Sequence, residues 1–127
     1  MIYTVKQISK LANVSVRTLH YYDEIGLLRP TSKANNGYRL YEREALIRLQ
    51  QILFYRELDF SLEKIHRIMD RSDFDLMSAL GEQKDTLLRR IDRLKKIVVT
   101  VEETIDHMKG NKTMTDKELF KPFTDEE

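Results

Sequence analysis

Hydrophobic positions along this 127-residue chain recur mostly at helical spacing. Thr4 is placed to cap a first short helix, and Gln7 stands three residues later, where a capping box requires Glu or Gln. Ser15 is placed to cap a second short helix, which Gly26 ends as a left-handed cap. Two short helices joined by a tight turn predict a helix-turn-helix.

The pattern changes over residues 29–41, where turn-forming and strand-favouring residues replace the helical spacing. The dipeptide Asn36-Gly37 is a strong signal for a tight hairpin. A hairpin that follows a helix-turn-helix directly is a wing. A third helix is predicted from about 42 to 58, and a fourth is predicted to be capped by Ser61.

The last long segment carries the most regular pattern in the chain. Its seam positions step by alternating threes and fours from Met77 to Met108, and nine of the ten are apolar. Because the chain offers no second segment of that length to cover the seam, we expect it to pair with a second copy rather than pack on its own N-terminal part. The predicted dimerisation residues are Leu80, Leu87, Ile91, Leu94, Val98, Val101 and Ile105.

These patterns predict a mainly α-helical protein in which a winged helix-turn-helix domain precedes a long coiled-coil helix. The predicted boundaries are residues 1–72 for the winged domain, 75–109 for the dimerisation helix and 110–127 for a linker or tail.

The amino-acid composition excludes several kinds of chemical site. The chain has 22 basic and 21 acidic residues and no cysteine, which excludes disulfides, thiolate metal sites and cysteine nucleophiles. Its histidines, His20, His66 and His107, are too scattered to indicate a metal site, so no metal or other cofactor is expected. No apolar run approaches the roughly 20 residues of a membrane span, and the start lacks a secretion signal. We therefore expect a cytoplasmic protein that makes no membrane contact.

Charge is distributed unevenly between the two parts of the chain. Residues 1–74 hold 12 Lys and Arg against 9 Asp and Glu, a net charge of +3, whereas residues 75–127 carry −2. The N-terminal part is therefore the more favourable surface for an anion.

The second predicted helix concentrates groups that bind nucleic acid. Arg17 can bond a guanine edge or a phosphate through two donors, and hydroxyl groups such as that of Thr18 suit phosphate oxygens. In the predicted wing, strand alternation places Tyr38 and Leu40 on one face and Arg39 and Tyr41 on the other. Taken alone, the helix pattern fits an ordinary polar surface equally well, and the basic, aromatic wing beside it favours binding.

Catalysis is not indicated. The paired acids Asp23-Glu24 and Glu102-Glu103 point about 100° apart on a helix, so neither pair converges on a substrate. His20 has no acid or nucleophile assigned to it, and the chain has no Gly-rich phosphate loop. We therefore expect that the protein is not an enzyme.

Three motifs occur in order with matching gaps: RTLHYYD from Arg17, GLL-x-P from Gly26 and GYRLY from Gly37. Over roughly residues 2–72 the chain closely resembles the DNA-binding domain of MerR-family transcriptional regulators, and the long helix fits the dimerisation helix of that family. Within the family it looks most like the multidrug-activator type (Mta- and TipA-like).

The resemblance implies particular roles. The helix Ser15–Glu24 would enter the major groove, the wing would lie beside it, and a homodimer would form through an antiparallel coiled coil. Binding to double-stranded promoter DNA with overlong element spacing would distort it and activate transcription, with RNA polymerase nearby. The DNA-binding positions implied are Ser15, Arg17, Thr18, His20, Tyr21, Tyr22, Tyr38, Arg39, Tyr41 and Arg56.

The chain departs from part of the family pattern. It lacks the cysteines that metal and redox sensors of the family use, which excludes that kind of sensing. The tail resembles the start of a drug-sensing domain, so the chain is either a piece of a longer sensor, which we favour, or a short natural regulator, and we expect no small-molecule effector for this chain alone. The alternatives are an architectural DNA-binding protein of the excisionase type, which needs no long dimerisation helix, and a pure protein-interaction module, which needs no basic, aromatic wing.

Overall fold

The computed structural model describes residues 1–124. They form two compact units, Met1–Asp75 and the segment from Leu76 onward. Within residues 1–124, no helix combines the length and the apolar character needed to cross a bilayer. The predicted architecture, a winged helix-turn-helix followed by a long helix, is confirmed. In chain order the elements are β1 Tyr3–Thr4, α1 Val5–Ala12, α2 Val16–Glu24, β2 Ser32–Lys33, β3 Arg39–Tyr41, α3 Arg43–Glu57, α4 Leu62–Met69, α5 Leu76–Met108, α6 Asp116–Leu119 and α7 Lys121–Thr124.

Local hydrogen bonds begin the short helices at the predicted caps. The Thr4 hydroxyl accepts from the Gln7 backbone N–H at 3.3 Å, and the Gln7 side chain accepts from the Thr4 N–H at 2.8 Å. The Ser15 hydroxyl accepts from the backbone N–H of Thr18 at 3.0 Å, and that of Ser61 accepts from the N–H of Lys64 at 3.1 Å. These side chains satisfy backbone donors that lack a partner inside each helix.

The predicted hairpin is confirmed, with β2 and β3 antiparallel and Lys33 opposite Arg39. Gly37 has a φ of +84°, the left-handed conformation that the turn requires. The sequence did not reveal β1, which pairs with the other side of β3 and places Tyr3 opposite Tyr41. The wing is therefore the outer part of a three-stranded sheet with the order β1-β3-β2.

One hydrophobic core holds the first unit together. Residues from α1, α2, α3, α4 and the sheet meet in it, so the helix-turn-helix and the base of the wing share a rigid support. Its most deeply buried members are Ile8, Leu19, Leu27, Leu28, Tyr41, Leu49, Ile52 and Ile65.

The second unit is α5 with the tail folded along it. Gly110, at φ +80°, ends the helical segment. The tail, predicted as a linker, contains α6 and α7, and both pack on α5. Met114 and Pro122 are buried there, and Arg93 Nη1 donates to the carbonyl of Pro122 at 3.3 Å. The last part of the predicted tail, 125–127, lies outside the described residues.

Candidate nucleic-acid interface

The outward face of α2 forms one wall of an open groove, and the wing contributes to it. The groove has a volume of about 880 Å³. Arg17, Thr18, His20 and Tyr21 therefore share one surface with Arg39 of β3, although they are distant from it along the chain. The lining residues are Val16, Arg17, Thr18, His20, Tyr21, Glu24 and Arg39.

Arg17 is the most available cation in this groove. Its side chain is exposed, and within residues 1–124 it takes part in no hydrogen bond or ion pair. Tyr21 is 48% exposed, and its phenol can reach outward. Glu24 also lines the groove, where its negative charge opposes the positive charges of Arg17 and Arg39.

Ser15 and Thr18 are engaged with each other at the start of α2. Besides capping the helix, the Ser15 hydroxyl donates to the Thr18 hydroxyl at 2.8 Å. The Thr18 O–H therefore stays available to donate to an anion at the N-terminal end of the helix, where the backbone dipole also favours negative charge.

An ion pair fixes the wing against α2. Arg39 Nε donates to Asp23 Oδ2 at 2.7 Å, and both side chains are largely covered. A charge-assisted hydrogen bond of this length is stronger than one between neutral groups. Arg39 therefore sets the angle between wing and helix, and its remaining guanidinium donors line the groove.

The predictions that Tyr22 and Tyr41 contact DNA are wrong, because the structure buries both side chains. Tyr22 is 6% exposed, since it lies three positions after Leu19 on the same helix face and both side chains point into the core. Tyr41 is 0% exposed. It shares a strand face with Arg39, as predicted, but that face turns toward α2 and the core rather than outward.

Burial changes the ionisation of both phenols. It raises the pKa of Tyr22, with Arg56 opposing the rise. Burial also raises the pKa of Tyr41; Asp23 adds to the rise and Arg39 opposes it. Both tyrosines support the groove from behind, as neutral core residues.

The remaining predicted residues lie on the surface. Tyr38 is 66% exposed beside the turn of the wing, where the backbone N–H of Tyr38 donates to the Asn36 side chain at 3.1 Å. Arg56 is exposed near the end of α3, and its Nη1 donates to the carbonyl of Phe60 at 3.2 Å. It lies outside the lining of the α2 groove.

Three lysines that no sequence motif singled out also lie on this unit. Lys6 and Lys10 of α1 line a shallow depression together with Val16, the first residue of α2. Their spacing of four residues places them on one helix face. That spacing is the sequence feature from which Lys6 and Lys10 could have been predicted. Lys64 of α4 lies 4.3 Å from the centre of the Phe60 ring, which places it near Arg56.

Comparison with known proteins agrees with this arrangement. The profile of the MerR HTH family regulatory proteins matches residues 3–72. The HTH-type transcriptional regulator SkgA of Caulobacter vibrioides is 46% identical over 125 residues, covering 98% of this chain and 49% of SkgA. The HTH-type transcriptional activator Mta of Bacillus subtilis is 42% identical over 120 residues, covering 94% of this chain and 47% of Mta. The chain thus spans about half the length of these curated relatives.

Solved structures give the same result. The crystal structure of SkgA from Caulobacter crescentus matches with a TM-score of 0.89 at 46% identity, covering 97% of this chain and 88% of that one. The N-terminal part of Mta, a multidrug transporter activator, matches with a TM-score of 0.57 at 43% identity, covering 81% of this chain and 97% of that one. A chain in the EcmrR–DNA complex matches with a TM-score of 0.54 at 26% identity, covering 88% of this chain and 41% of that one. The chain belongs to the MerR family of helix-turn-helix regulatory proteins.

Proposed function

We propose that this chain is a sequence-specific DNA-binding transcriptional regulator whose α2 enters the major groove. The observation that carries the proposal is the groove in which polar side chains of α2 meet Arg39 of the wing. An α-helix fits the width of the major groove, and the wing can then follow the adjacent backbone. The family match and the naming of EcmrR in a DNA complex support this reading.

The exposed side chains divide into two proposed roles. Arg17 is unpaired within residues 1–124 and reads a base edge, because its guanidinium bonds two acceptors at once. The hydroxyls of Tyr21 and Tyr38 donate hydrogen bonds to phosphate oxygens. Arg56 and Lys64 neutralise phosphate charge at the turn between α3 and α4. Lys6 and Lys10 extend the positive surface beyond the start of α2.

The regulator is proposed to act as a homodimer through α5. The side chains of Leu87, Ile91, Leu94, Val98, Val101 and Ile105 are 40–60% exposed. A helix of 33 residues extends about 50 Å at 1.5 Å per residue, so this stripe is long enough for a coiled coil. Its occupant is the same stripe of a second copy, running antiparallel as the family resemblance implies.

The packing of the tail supports that choice. The contacts that hold the tail to α5 come from Arg93, Glu103 and His107, which lie beside the seam rather than on it. The seam stays uncovered while the tail is docked, so both can persist in one protomer. An excisionase-type architectural protein would leave this stripe without a role.

Analytical ultracentrifugation tests the dimer. The parent chain should sediment as a dimer at micromolar concentration. Leu94→Arg should shift the population to monomer, because a charge without a partner in a dry interface costs several kcal/mol, roughly 3–5. Leu88→Arg is the matched control, because Leu88 is comparably exposed but lies off the seam. A monomeric parent would contradict the proposal.

Activation is proposed to proceed by distortion of promoter DNA. Two identical reading heads on one two-fold dimer predict a near-palindromic operator with half-sites about one helical turn, or a multiple, apart. Contacts held at a fixed separation can bend or untwist the centre, at a cost of about 1–6 kcal/mol that the added contacts offset. The naming of Mta as a transcriptional activator supports activation here.

In vitro transcription with RNA polymerase tests this mechanism. On a promoter with overlong element spacing, the bound protein should raise transcription. Shortening the spacer by one or two base pairs should abolish the gain while leaving operator binding unchanged. Activation that does not depend on spacer length would contradict the distortion mechanism and leave a DNA-binding dimer.

A further inference from the structure

The tail packs along a stripe of α5 that runs parallel to the dimerisation seam. Each residue of this stripe lies one position before a seam residue, and one position on a helix is a rotation of about 100°. The stripe residues are less exposed than the seam residues that follow them, and they are Ile97, Thr100, Thr104 and His107. The tail therefore lies beside the seam and leaves the seam free for a second copy.

The docked tail extends from the end of α5 back to its middle. Near the end of α5, the backbone N–H of Met114 donates to Nδ1 of His107 at 3.2 Å. Further along the tail, the carbonyl of Pro122 accepts from Nη1 of Arg93 at 3.3 Å. Arg93 is within one residue of the midpoint of α5, which spans Leu76–Met108. The short helix α7, which contains Pro122, therefore lies beside the centre of α5.

Two phenylalanines of the tail are exposed at this place. Phe120 and Phe123 are 59% and 58% exposed, whereas Leu119 and Pro122, each one position earlier, are partly or fully buried. The backbone N–H of Phe123 donates to the carbonyl of Phe120 at 3.0 Å. Side chains three residues apart in such a turn lie on the same side of it. Phe120 and Phe123 thus form one apolar surface, which we call the tail patch.

Two-fold symmetry would place the tail patch close to its own copy. In an antiparallel pair of identical helices, the symmetry axis passes between the two midpoints, perpendicular to the plane of the pair. A segment beside one midpoint therefore has its copy on the same side of the pair, beside the other midpoint. Packed helix axes are about 8–10 Å apart, and aromatic ring centres interact at about 4.5–7 Å. Two facing pairs of phenylalanine rings can span the gap between the two α7 segments.

We propose that the tail patch packs against the tail patch of a second copy across the dimer axis, so that the tail forms a second part of the dimer interface. The inference rests on the proposed function, because it requires the antiparallel α5 dimer. The start of the tail lies about 15 residues of helix from the midpoint, so about 45 Å separates it from its copy. Only the α7 end of the tail can meet the same segment of the second copy.

Single-cysteine cross-linking tests this proximity, because the chain has no cysteine of its own. Thr124→Cys places a thiol beside the tail patch, and Asn111→Cys places one at the start of the tail. A bis-maleimide of roughly 10 Å, about one helix-packing distance, should convert the Thr124→Cys variant at micromolar concentration into covalent dimers. The Asn111→Cys variant should remain monomeric on a denaturing gel. Adding Leu94→Arg to Thr124→Cys should abolish the cross-link, because that substitution separates the α5 helices.

Sedimentation over a dilution series measures how much the tail patch contributes to the dimer. Replacing both Phe120 and Phe123 with alanine should raise the dimer dissociation constant about a hundredfold, because two rings from each protomer no longer bury apolar surface. Leu88→Ala is the matched control and should leave the constant unchanged, because Leu88 is 51% exposed on α5 away from both the seam and the stripe. Circular dichroism verifies that each variant keeps the helical content of the parent.

The outcomes separate this inference from the proposed dimer. A dimer in which Thr124→Cys does not cross-link, or whose dissociation constant is unchanged by the double alanine substitution, would overturn the inference and leave the α5 dimer in place. Efficient cross-linking of Asn111→Cys would indicate a parallel pair. That result, or a monomeric parent, would contradict the proposed antiparallel dimer and the inference with it.

Discussion

Replacing Tyr41 with phenylalanine tests whether this residue supports the interface from the core or contacts DNA. Its side chain is 0% exposed, and among residues 1–124 its hydroxyl has no hydrogen-bond partner. Burying a hydroxyl without a partner costs about 1–3 kcal/mol, whereas phenylalanine fills the same ring volume at no such cost. Tyr41→Phe should therefore raise the free energy of unfolding by about 1 kcal/mol and leave DNA affinity unchanged.

The pH dependence gives the same test a second readout. Burial raises the pKa of Tyr41 above the value of about 10 that a tyrosine has in an unfolded chain. For an acid whose folded pKa is raised, the stabilising contribution is complete below the unfolded pKa and is lost as the pH rises through the folded one. The stability advantage of Tyr41→Phe should therefore widen above about pH 10.

Urea unfolding at neutral and alkaline pH, with DNA titrations beside it, measures both effects. Tyr38→Phe is the matched control, because Tyr38 is 66% exposed beside the same wing strand. Its stability should change by less than about 0.5 kcal/mol, while its DNA affinity falls through the lost phosphate contact. A Tyr41→Phe variant that lowered DNA affinity as much as Tyr38→Phe does, or that unfolded more easily than the parent, would refute this reasoning.

Two further substitutions test the supports of α2. Asp23→Asn removes the carboxylate 2.7 Å from Arg39 Nε; it should lower the free energy of unfolding by about 1 kcal/mol and weaken DNA binding in a band-shift titration. If Asp23 acted only as a surface charge, its loss would strengthen binding instead. Gly26→Ala places a methyl group 3.1 Å from Arg29 Nη2 at a φ of +74°, whereas Gly37→Ala at +84° meets nothing within 4 Å. Urea denaturation should show a loss of about 1 kcal/mol for Gly37→Ala from the backbone conformation alone, and a similar loss for Gly26→Ala, because the end of the exposed Arg29 side chain can move away from the added methyl group; a much larger loss for Gly26→Ala would contradict this.

The features that the sequence predicted correctly depend on neighbours in the chain. The caps at Thr4, Ser15 and Ser61 each use a hydroxyl and a backbone N–H three residues away. The turn at Gly37 depends on one residue that adopts a positive φ. The long helix was predictable because its apolar stripe repeats over more than 30 residues, which no short element imitates.

The features that were missed or wrong depend on contacts between distant segments. The two-residue strand β1 exists because Tyr3 pairs with Tyr41, and so short a strand has no period to read. Strand alternation correctly grouped Tyr41 with Arg39, but only packing against α2 determines that this face points inward. The ion pair of Arg39 with Asp23 and the contact of the His66 ring with the Ile25 carbonyl likewise join residues that no local spacing connects.

The central claim is that α2 reads base edges, and the most direct test compares Arg17→Ala with Arg56→Ala on a selected and a random duplex over several salt concentrations. Arg17→Ala should cost about 1–3 kcal/mol on the selected duplex, cost much less on the random one, and relax the sequence preference. Arg56→Ala should weaken both complexes alike and reduce the slope of log affinity against log salt by about one. If Arg17→Ala weakened both duplexes equally, with the same change of slope as Arg56→Ala, α2 would be a phosphate contact and not the reading element.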